Sequence, residues 1–450
     1  MSVLKKLNDP QLGRQMVKIV KEQAARVAER LGRAVRLMEV CGTHTMAISS
    51  TGLRGLLSGL MELRSGPGCP VCVTAAGDIE QMIAISRVPG VTVATFGDMV
   101  RVPGVLSSLE RERARGARVQ IVYSPADAVA LARDNPAREV VFLGVGFETT
   151  APLAALSINE AAQLGLSNFS VYSIHKLVPP VMRALLGAGE ARVDGLILPG
   201  HVCAVTGSKA FAFIGEEYGI PAVVTGFTMV DILDALHVLL NKMQTGDSRV
   251  VNGYRWVVRD EGNLQAQGAI KDCFYPGDAI WRGFGVINNS GLFIKEHLAR
   301  YDAMRKFGLD TLERVGGLDL PMPEVDSVGG AGQCASCNES PRDPMGSLSV
   351  AGGFVSDGGA VTQPVGIAGG KMEAVGNRFT VDDAAEPRGC RCGELLRGII
   401  TPPDCALFGR KCTPASPVGP CMVSSEGACA AYYRYGATTT LVPGVERLKG

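Results

Sequence analysis

Two cysteines in the stretch SGPGCPVC, residues 65–72, have a spacing suited to electron chemistry. Cys69 and Cys72 form a C-x-x-C pair in a turn-rich loop, and the residues AAGDIEQMIAISR that follow predict a helix. A thiol at the N-terminus of a helix ionises more readily, and a dithiol can close to a disulfide by giving up two electrons. We therefore interpret Cys69 and Cys72 as a redox dithiol.

A third cysteine, Cys41, ends a predicted strand and precedes the residues GTHTM. It should lie at a helix N-terminus, where the helix dipole and free N–H groups lower the pKa of a thiol. His44 follows three residues later, near enough to share a metal ion or to take a proton. A cysteine hydrolase is the alternative. However, no known nucleophile signature surrounds Cys41, and the chain has only 5 histidines from which to complete a triad.

The C-terminal part of the chain is dense in cysteine. Six cysteines lie between residues 390 and 429, and they are Cys390, Cys392, Cys405, Cys412, Cys421 and Cys429. They could be small buried hydrophobic residues, but their density favours a metal or a cluster. Zinc sites usually pair two C-x2-4-C motifs, which this stretch lacks, whereas an iron–sulfur cluster can gather four cysteines from separate loops. We therefore expect an iron–sulfur cluster here.

The elements that would position these residues follow a repeating pattern. From residue 33 to about 245, apolar runs such as VTVATF, EVVFLGV and VDGLILP alternate with helix-compatible stretches. This alternation predicts an α/β fold with parallel sheets covered on both faces. In such sheets the functional residues usually lie in the loops outside the carboxyl ends of the strands. Here these loops read CGTHTM, GPGCPVC, GVGFETTAP and LPGHVCAVTG.

We predict three domains from this pattern. Residues 1–120 and 121–248 should form two parallel-sheet α/β domains, and residues 249–450 a smaller cysteine-rich iron–sulfur domain. The last would contain a glycine-rich insertion at about 315–380. That insertion holds a further C-x-x-C pair, Cys334 and Cys337, for which we expect no essential role.

Composition excludes several classes of protein. The 450 residues are 46% hydrophobic and 20% charged with a net charge of +1, so neither a nucleic acid nor another polyanion is an expected partner. No stretch approaches the roughly 18 apolar residues of a membrane span. The charged N-terminus also lacks a secretory signal. We expect a cytoplasmic protein whose 13 cysteines are not a disulfide scaffold.

Five motifs together carry a resemblance to a known family. The motifs CGTHTMA, GPGCPVCVT, GFETTAP, PGHVCAVTG and CTPASPVGPCMVSSEGACAAYY closely resemble, in this order, the HypD family of hydrogenase maturation proteins. The resemblance covers roughly residues 10–310 and 386–436. It implies two Rossmann-like domains and a third domain that bears a cluster.

The resemblance also implies a function and its residues. Proteins of this family are assembly scaffolds for [NiFe]-hydrogenases, and they hold one iron jointly with a HypC-type chaperone. That iron acquires cyanide from a HypE-type donor and a carbon monoxide, giving the Fe(CN)2CO unit. By resemblance, Cys41 binds this iron, and Cys69 and Cys72 are the redox pair. Ligands to a [4Fe-4S] cluster fall on four tail cysteines, with Cys429 a possible substitute, and the four are Cys392, Cys405, Cys412 and Cys421. A free-standing iron–sulfur thiol–disulfide oxidoreductase is the alternative function.

Overall fold

The computed structural model describes residues 10–309 and 387–436, and a separate short strand pair at Leu318–Asp319 and Arg378–Phe379. The predicted insertion, with Cys334 and Cys337, lies largely outside the described residues. The main body contains two parallel sheets connected by helices, which confirms the α/β prediction. Neighbouring strands can be parallel because the chain returns from the end of one strand to the start of the next through connections that contain helices.

The first sheet has five strands in the spatial order β2-β1-β7-β8-β9. Each pair of neighbours is parallel. The strands are β1 (Val35–Glu39), β2 (Met61–Ser65), β7 (Gly195–Pro199), β8 (Ala222–Thr225) and β9 (Val250–Asn252).

The second sheet has four parallel strands in the order β4-β3-β5-β6. They are β3 (Val91–Thr95), β4 (Arg118–Ile121), β5 (Glu139–Gly144) and β6 (Phe169–Ser173). The whole of this sheet lies in the chain between β2 and β7, so the first sheet is interrupted by the second.

The predicted domain boundaries therefore need correction. The boundary at residue 120 falls within β4 and does not separate the two sheets. The boundary at 249 separates β9 from β8, the strand with which it pairs. An apolar pattern gives the order of strands along the chain, but it does not say which strands hydrogen-bond to each other.

Helices cover both sheets. Those up to β7 are α1 (Pro10–Leu31), α2 (Gly42–Ser50), α3 (Leu53–Leu56), α4 (Pro70–Val73), α5 (Ala76–Arg87), α6 (Gly97–Val100), α7 (Leu109–Ala114), α8 (Pro125–Asp134), α9 (Ala151–Gln163) and α10 (Val178–Gly187). Those after β7 are α11 (Gly200–Thr206), α12 (Phe213–Tyr218), α13 (Met229–Thr245), α14 (Leu264–Cys273) and α15 (Ala303–Lys306). None of the helices in the described residues is long and apolar enough to cross a membrane.

A β-hairpin follows helix α14 in the chain. Its antiparallel strands are β10 (Phe274–Trp281) and β11 (Gly285–Ile294). Cys273 at the end of α14 and Phe274 of the hairpin are buried in the core of the second sheet, together with Phe142 and Phe169. This part of the predicted third domain thus packs on the second sheet.

The cysteine-rich tail, residues 387–436, packs against the first sheet's helices. It contains three short helices, which are α16 (Cys392–Leu396), α17 (Pro420–Val423) and α18 (Ala428–Tyr435). Helix α17 contacts α4, and α18 contacts α2. The tail therefore meets the same two helices that carry the predicted iron and dithiol residues.

Candidate functional site

Two neighbouring strands bring the predicted iron and dithiol loops together. Strands β1 and β2 pair with Glu39 opposite Ser65, so the loops that follow them leave the same edge of the sheet. The N–H of Gly66 donates a hydrogen bond to the carbonyl oxygen of Glu39 at 2.8 Å, which extends the pairing past the strand ends.

Beyond this bond the two loops are in direct backbone contact. The N–H of Gly42 donates to the carbonyl oxygen of Gly68 at 3.0 Å. A Cβ atom at Gly68 would overlap the backbone of Cys41, so only glycine fits here. The structure thus places Cys41 directly beside the loop that leads into Cys69 and Cys72.

The two cysteines of the C-x-x-C motif form a disulfide across the short helix α4. Their Cα atoms are 5.2 Å apart, and the N–H of Cys72 donates to Sγ of Cys69 at 3.2 Å. Both residues are buried, with 4% and 1% of their surface exposed. The geometry supports reversible dithiol chemistry but leaves little access for a bulky external disulfide.

Cys41 occupies the N-cap position of α2, as predicted, but its thiol is not activated. Burial raises its pKa to about 12, and the nearby Glu426 carboxylate adds to this increase. The N–H groups of His44 and Thr43 lower the pKa but do not outweigh burial. The expectation of a lowered pKa is therefore wrong for the metal-free thiol. Loss of hydration raises the pKa by more than the helix N-terminus lowers it.

His44 is completely buried on the same helix. Its Nε2 donates to the carbonyl oxygen of Gly226 at 2.8 Å, and within the described residues its Nδ1 has no hydrogen-bond partner. Burial lowers its pKa to about 4, so the ring is neutral at physiological pH. Because Nδ1 accepts no hydrogen bond from Cys41, the pairing that a cysteine hydrolase needs is not formed. Within the described residues, the lone pair of Nδ1 is therefore not used in a hydrogen bond.

An aromatic stack joins His44 to a second histidine loop. Phe227 stacks on the His44 ring with centroids 4.6 Å apart and on the His201 ring at 3.9 Å. His201 belongs to the PGHVCAVTG motif, which follows β7. Two of the predicted functional loops are therefore held in one packed unit.

Two carboxylates that the sequence analysis missed contact the Cys41 loop. Oε2 of Glu39 accepts the N–H of Cys41 at 3.2 Å, and Oε1 accepts the hydroxyl of Thr45. Oε1 of Glu426, from the tail, accepts the hydroxyl of Thr43 at 2.8 Å. Burial raises the pKa of Glu39 to about 7 and also raises that of Glu426. Glu39 could have been suspected as an acid inside an apolar strand, whereas Glu426 is 385 residues away from Cys41 in the chain.

A further buried acid and a further buried thiol follow β5 and β7. Oε1 of Glu148 accepts the N–H of Val178 at 2.8 Å, while its other oxygen has no hydrogen-bond partner in the described residues. Burial raises the pKa of Glu148 to about 7. Cys203 is fully buried, and its pKa is raised by burial and by the charges of Glu148 and Cys41. Both residues belong to predicted loop motifs, but neither was singled out.

The tail cysteines converge on one small cavity of about 20 Å³, roughly the space of one water molecule. All four predicted ligands line it, as do Cys390 and Cys429, and the rest of the lining is mainly apolar. Sγ of Cys392 and Sγ of Cys421 are 2.6 Å apart, and both cysteines are free of disulfides. Six thiols without a histidine or carboxylate are a donor set that fits an iron–sulfur cluster better than a hard cation, and the spacing of these cysteines lacks the paired C-x2-4-C motifs usual at zinc sites.

Within the described residues, the cysteine-rich tail included, no metal site is fully formed. Across residues 10–309 and 387–436, no group of three or more His, Cys, Asp or Glu side chains is placed to hold a metal ion. The tail thiols would therefore need to separate to ligate a cluster, and Cys41 would need ligands from a partner or from exogenous molecules to complete an iron site.

A short segment of the tail connects the cysteine cavity with Cys41. Oδ2 of Asp98 accepts the hydroxyl of Ser424 at 3.1 Å and the N–H of Ser425 at 3.0 Å. Gly427 then packs on the backbone of Cys421, and Glu426 lies against Gly42. Cys41, the dithiol and the cysteine cavity therefore form one continuous region.

Comparison with known proteins agrees with the motifs. The family model for HypD, described as the hydrogenase formation hypA family, matches residues 14–337 and 371–436. The chain is 38% identical over 441 residues to the hydrogenase maturation factor HypD of Rhodobacter capsulatus, covering 97% of this chain and 98% of that protein. It is 38% identical over 427 residues to HypD of Escherichia coli K12, covering 95% and 96%. A putative hydrogenase expression/formation protein of Methanocaldococcus jannaschii is 32% identical over 422 residues, covering 94% and 98%.

The family match also narrows the predicted insertion. Only residues 338–370 separate the two matched segments, compared with the predicted 315–380. Cys334 and Cys337 therefore fall at the end of the first matched segment instead of inside the unmatched stretch.

Proposed function

Since the chain belongs to the HypD family of hydrogenase formation proteins, we propose that it is a scaffold for assembling the Fe(CN)2CO unit of [NiFe]-hydrogenases. It would hold iron jointly with a HypC-type chaperone and receive cyanide from a HypE-type donor. The observation that carries this proposal is the junction of Cys41, the Cys69–Cys72 dithiol and the cysteine cavity at one edge of the first sheet.

Cys41 is the proposed iron ligand. A thiolate is a soft donor suited to ferrous iron that carries cyanide and carbon monoxide. Because the pKa of the metal-free thiol is about 12, iron must displace its proton on binding. The incomplete donor set around Cys41 supports a shared site, in which the partner chaperone supplies the remaining protein ligand.

The dithiol and the tail supply the proposed redox function. Cys392, Cys405, Cys412 and Cys421 would hold a [4Fe-4S] cluster, with Cys390 and Cys429 close enough to replace one of them. Such a cluster supplies one-electron transfer when bound. Cys69 and Cys72 would take up or release two electrons as the iron receives its ligands. The burial of both cysteines disfavours the alternative, an oxidoreductase acting on external disulfides.

Infrared spectroscopy tests the proposal. The protein is purified with its chaperone under exclusion of oxygen, and bands are sought in the cyanide and carbonyl stretching regions. Wild-type protein should show them, and Cys41→Ser should lose them because a protonated hydroxyl is a poor ligand for ferrous iron. Cys69→Ser is the matched control, since it removes a buried thiol from the adjacent loop without removing the proposed ligand. It should keep some iron while failing to support hydrogenase maturation. Wild-type bands in Cys41→Ser would refute the assignment.

A further inference from the structure

The turn of the β10–β11 hairpin, residues 281–285, holds the C-terminal end of the dithiol helix. The N–H of Arg282 donates to the carbonyl oxygen of Val73 at 3.0 Å, and its Nε donates to that of Thr74 at 2.9 Å. Thr74 also forms an isolated antiparallel bridge with Trp281. The helix that carries Cys72 is thereby fixed by a segment some 210 residues away in the chain.

The base of this turn is buried and hydrogen-bonded. Trp281 is fully buried, and its Nε1 donates to the hydroxyl of Ser290 at 2.8 Å. Its ring stacks on Phe147 with centroids 6.0 Å apart. Arg282 is itself only 3% exposed. A buried, hydrogen-bonded aromatic anchor of this kind leaves the turn little freedom to move independently.

The tip of the same turn touches the cysteine cavity. Gly283 has φ +79° and lies against Gly393, the residue after Cys392. A Cβ on Gly283 would overlap the Gly393 backbone, and a Cβ on Gly393 would lie 2.8 Å from Cα of Gly283. The contact is therefore backbone against backbone, and it has no flexible side chain to absorb a displacement.

We propose that the hairpin turn, residues 281–285, is a positioning element that couples the dithiol to the cysteine cavity. The proposal rests on the proposed function, because it takes the dithiol to be redox-active and the cavity to bind a cluster. Trp281 fixes the turn in the core, and Arg282 hydrogen-bonds to the end of α4. Gly283 contacts the backbone near the start of α16.

Loading the cavity must move its walls. Sγ of Cys392 and Sγ of Cys421, 2.6 Å apart, cannot stay in contact once they ligate separate iron atoms. Movement of Cys392 shifts Gly393 and pushes on Gly283, and the turn passes the displacement to α4. Since α4 begins after Cys69 and contains Cys72, a shift of α4 changes the stability of the disulfide between them. By linkage, the redox state of the dithiol must affect the cavity equally.

The test measures the disulfide equilibrium with and without the cluster. Dithiothreitol gives two electrons and two protons to the Cys69–Cys72 disulfide and becomes its own cyclic disulfide. After quenching and alkylation, the tryptic peptide 65–87 reports the result, because it contains no cysteines other than Cys69 and Cys72. The measurement is made anaerobically on full-length protein, first metal-free and then loaded with iron and sulfide.

Two glycines of the turn make a matched pair of variants. Gly283→Ala and Gly285→Ala both place alanine at a positive φ, +79° and +72°, but no atom lies within 4 Å of a Cβ at Gly285. In wild type, loading should change the disulfide equilibrium constant by about tenfold, equivalent to about 30 mV for two electrons. Gly285→Ala should keep this change, and Gly283→Ala should lose it. If Gly283→Ala does not fold, Gly393→Ala makes the milder intrusion from the other side of the contact.

The outcomes separate this proposal from the proposed function. Helix α17, which carries Cys421, also packs on α4 and offers a direct alternative route. If Gly283→Ala keeps the full change, the route through α17 carries the coupling and the proposal is overturned. If wild-type protein binds no iron and sulfide, the proposed cofactor is wrong. The turn is then judged on metal-free protein, in which Gly283→Ala must still shift the equilibrium relative to Gly285→Ala.

Discussion

At the scale of single residues, burial decides the charge of the groups around Cys41. His44 is neutral because burial lowers its pKa to about 4, and Glu39 and Glu148 have pKa values raised to about 7. Cys41 itself keeps its proton until a metal displaces it. Near pH 7 Cys41 and His44 are therefore neutral, whereas Glu39 and Glu148 lie close to the midpoint of their titration.

Glu148 gives this electrostatic picture a test. Its pKa rises from 4.5 to about 7 on folding, so the native state binds the proton more tightly than the unfolded chain. The resulting stabilisation is fully present below pH 4.5 and is lost as the pH rises to about 7. Glu148→Gln is neutral throughout and keeps an oxygen to accept the N–H of Val178. Relative to wild type, it should therefore gain up to about 3 kcal/mol in the free energy of unfolding between pH 4.5 and 8.

Urea unfolding of both proteins at several pH values measures this gain. The contribution of Glu39 is the same in the two proteins and cancels in the difference. A constant difference across this pH range would mean that Glu148 is not held protonated by burial.

At the scale of elements, the contact between the Cys41 loop and the dithiol loop depends on Gly68. Gly68→Ala should push the two loops apart because its Cβ overlaps the backbone of Cys41, which cannot turn away as a side chain could. We expect a loss of about 2 kcal/mol or more in the free energy of unfolding, at the upper end of single substitutions. Gly55→Ala is the control: it lies in α3 with no atom within 4 Å of a new Cβ, so it should be neutral or slightly stabilising. Equal unfolding midpoints for the two variants would contradict the close packing of the loops.

The strands were predictable from the sequence where both of their faces are buried. The runs VTVATF and EVVFLGV became β3 and β5, whose residues are almost all buried. Strand β2, with the sequence MELRS, was missed because the charged residues Glu62 and Arg64 interrupt its apolar residues. Its polar residues hide the apolar signal on which the prediction depended.

At the scale of the whole molecule, the sequence could identify residues of the site but not which distant residues lie beside them in space. Cysteine motifs are visible in one dimension, so Cys41, the dithiol and the tail cysteines were all predicted. Glu426 was not, because nothing in the segment SSEG indicates that it lies beside Cys41. The interleaving of the two sheets was missed for the same reason, since strand order in space depends on long-range packing.

We expect the tail to keep Cys41 buried, and two deletions can test this. Truncation after residue 386 removes Glu426 and the helices that pack on α2 and α4, whereas deletion of 338–370 removes the stretch that the family model does not match. Truncation should lower the urea midpoint and make Cys41 react rapidly with an alkylating reagent, because its burial depends on those contacts. The internal deletion should leave both properties near wild type. The tryptic peptide 37–54 has Cys41 as its sole cysteine, so mass spectrometry of that peptide measures the reaction. If Cys41 stays protected in the truncated protein, the sheet and its own helices suffice to bury it, and the tail serves only its cysteine cavity.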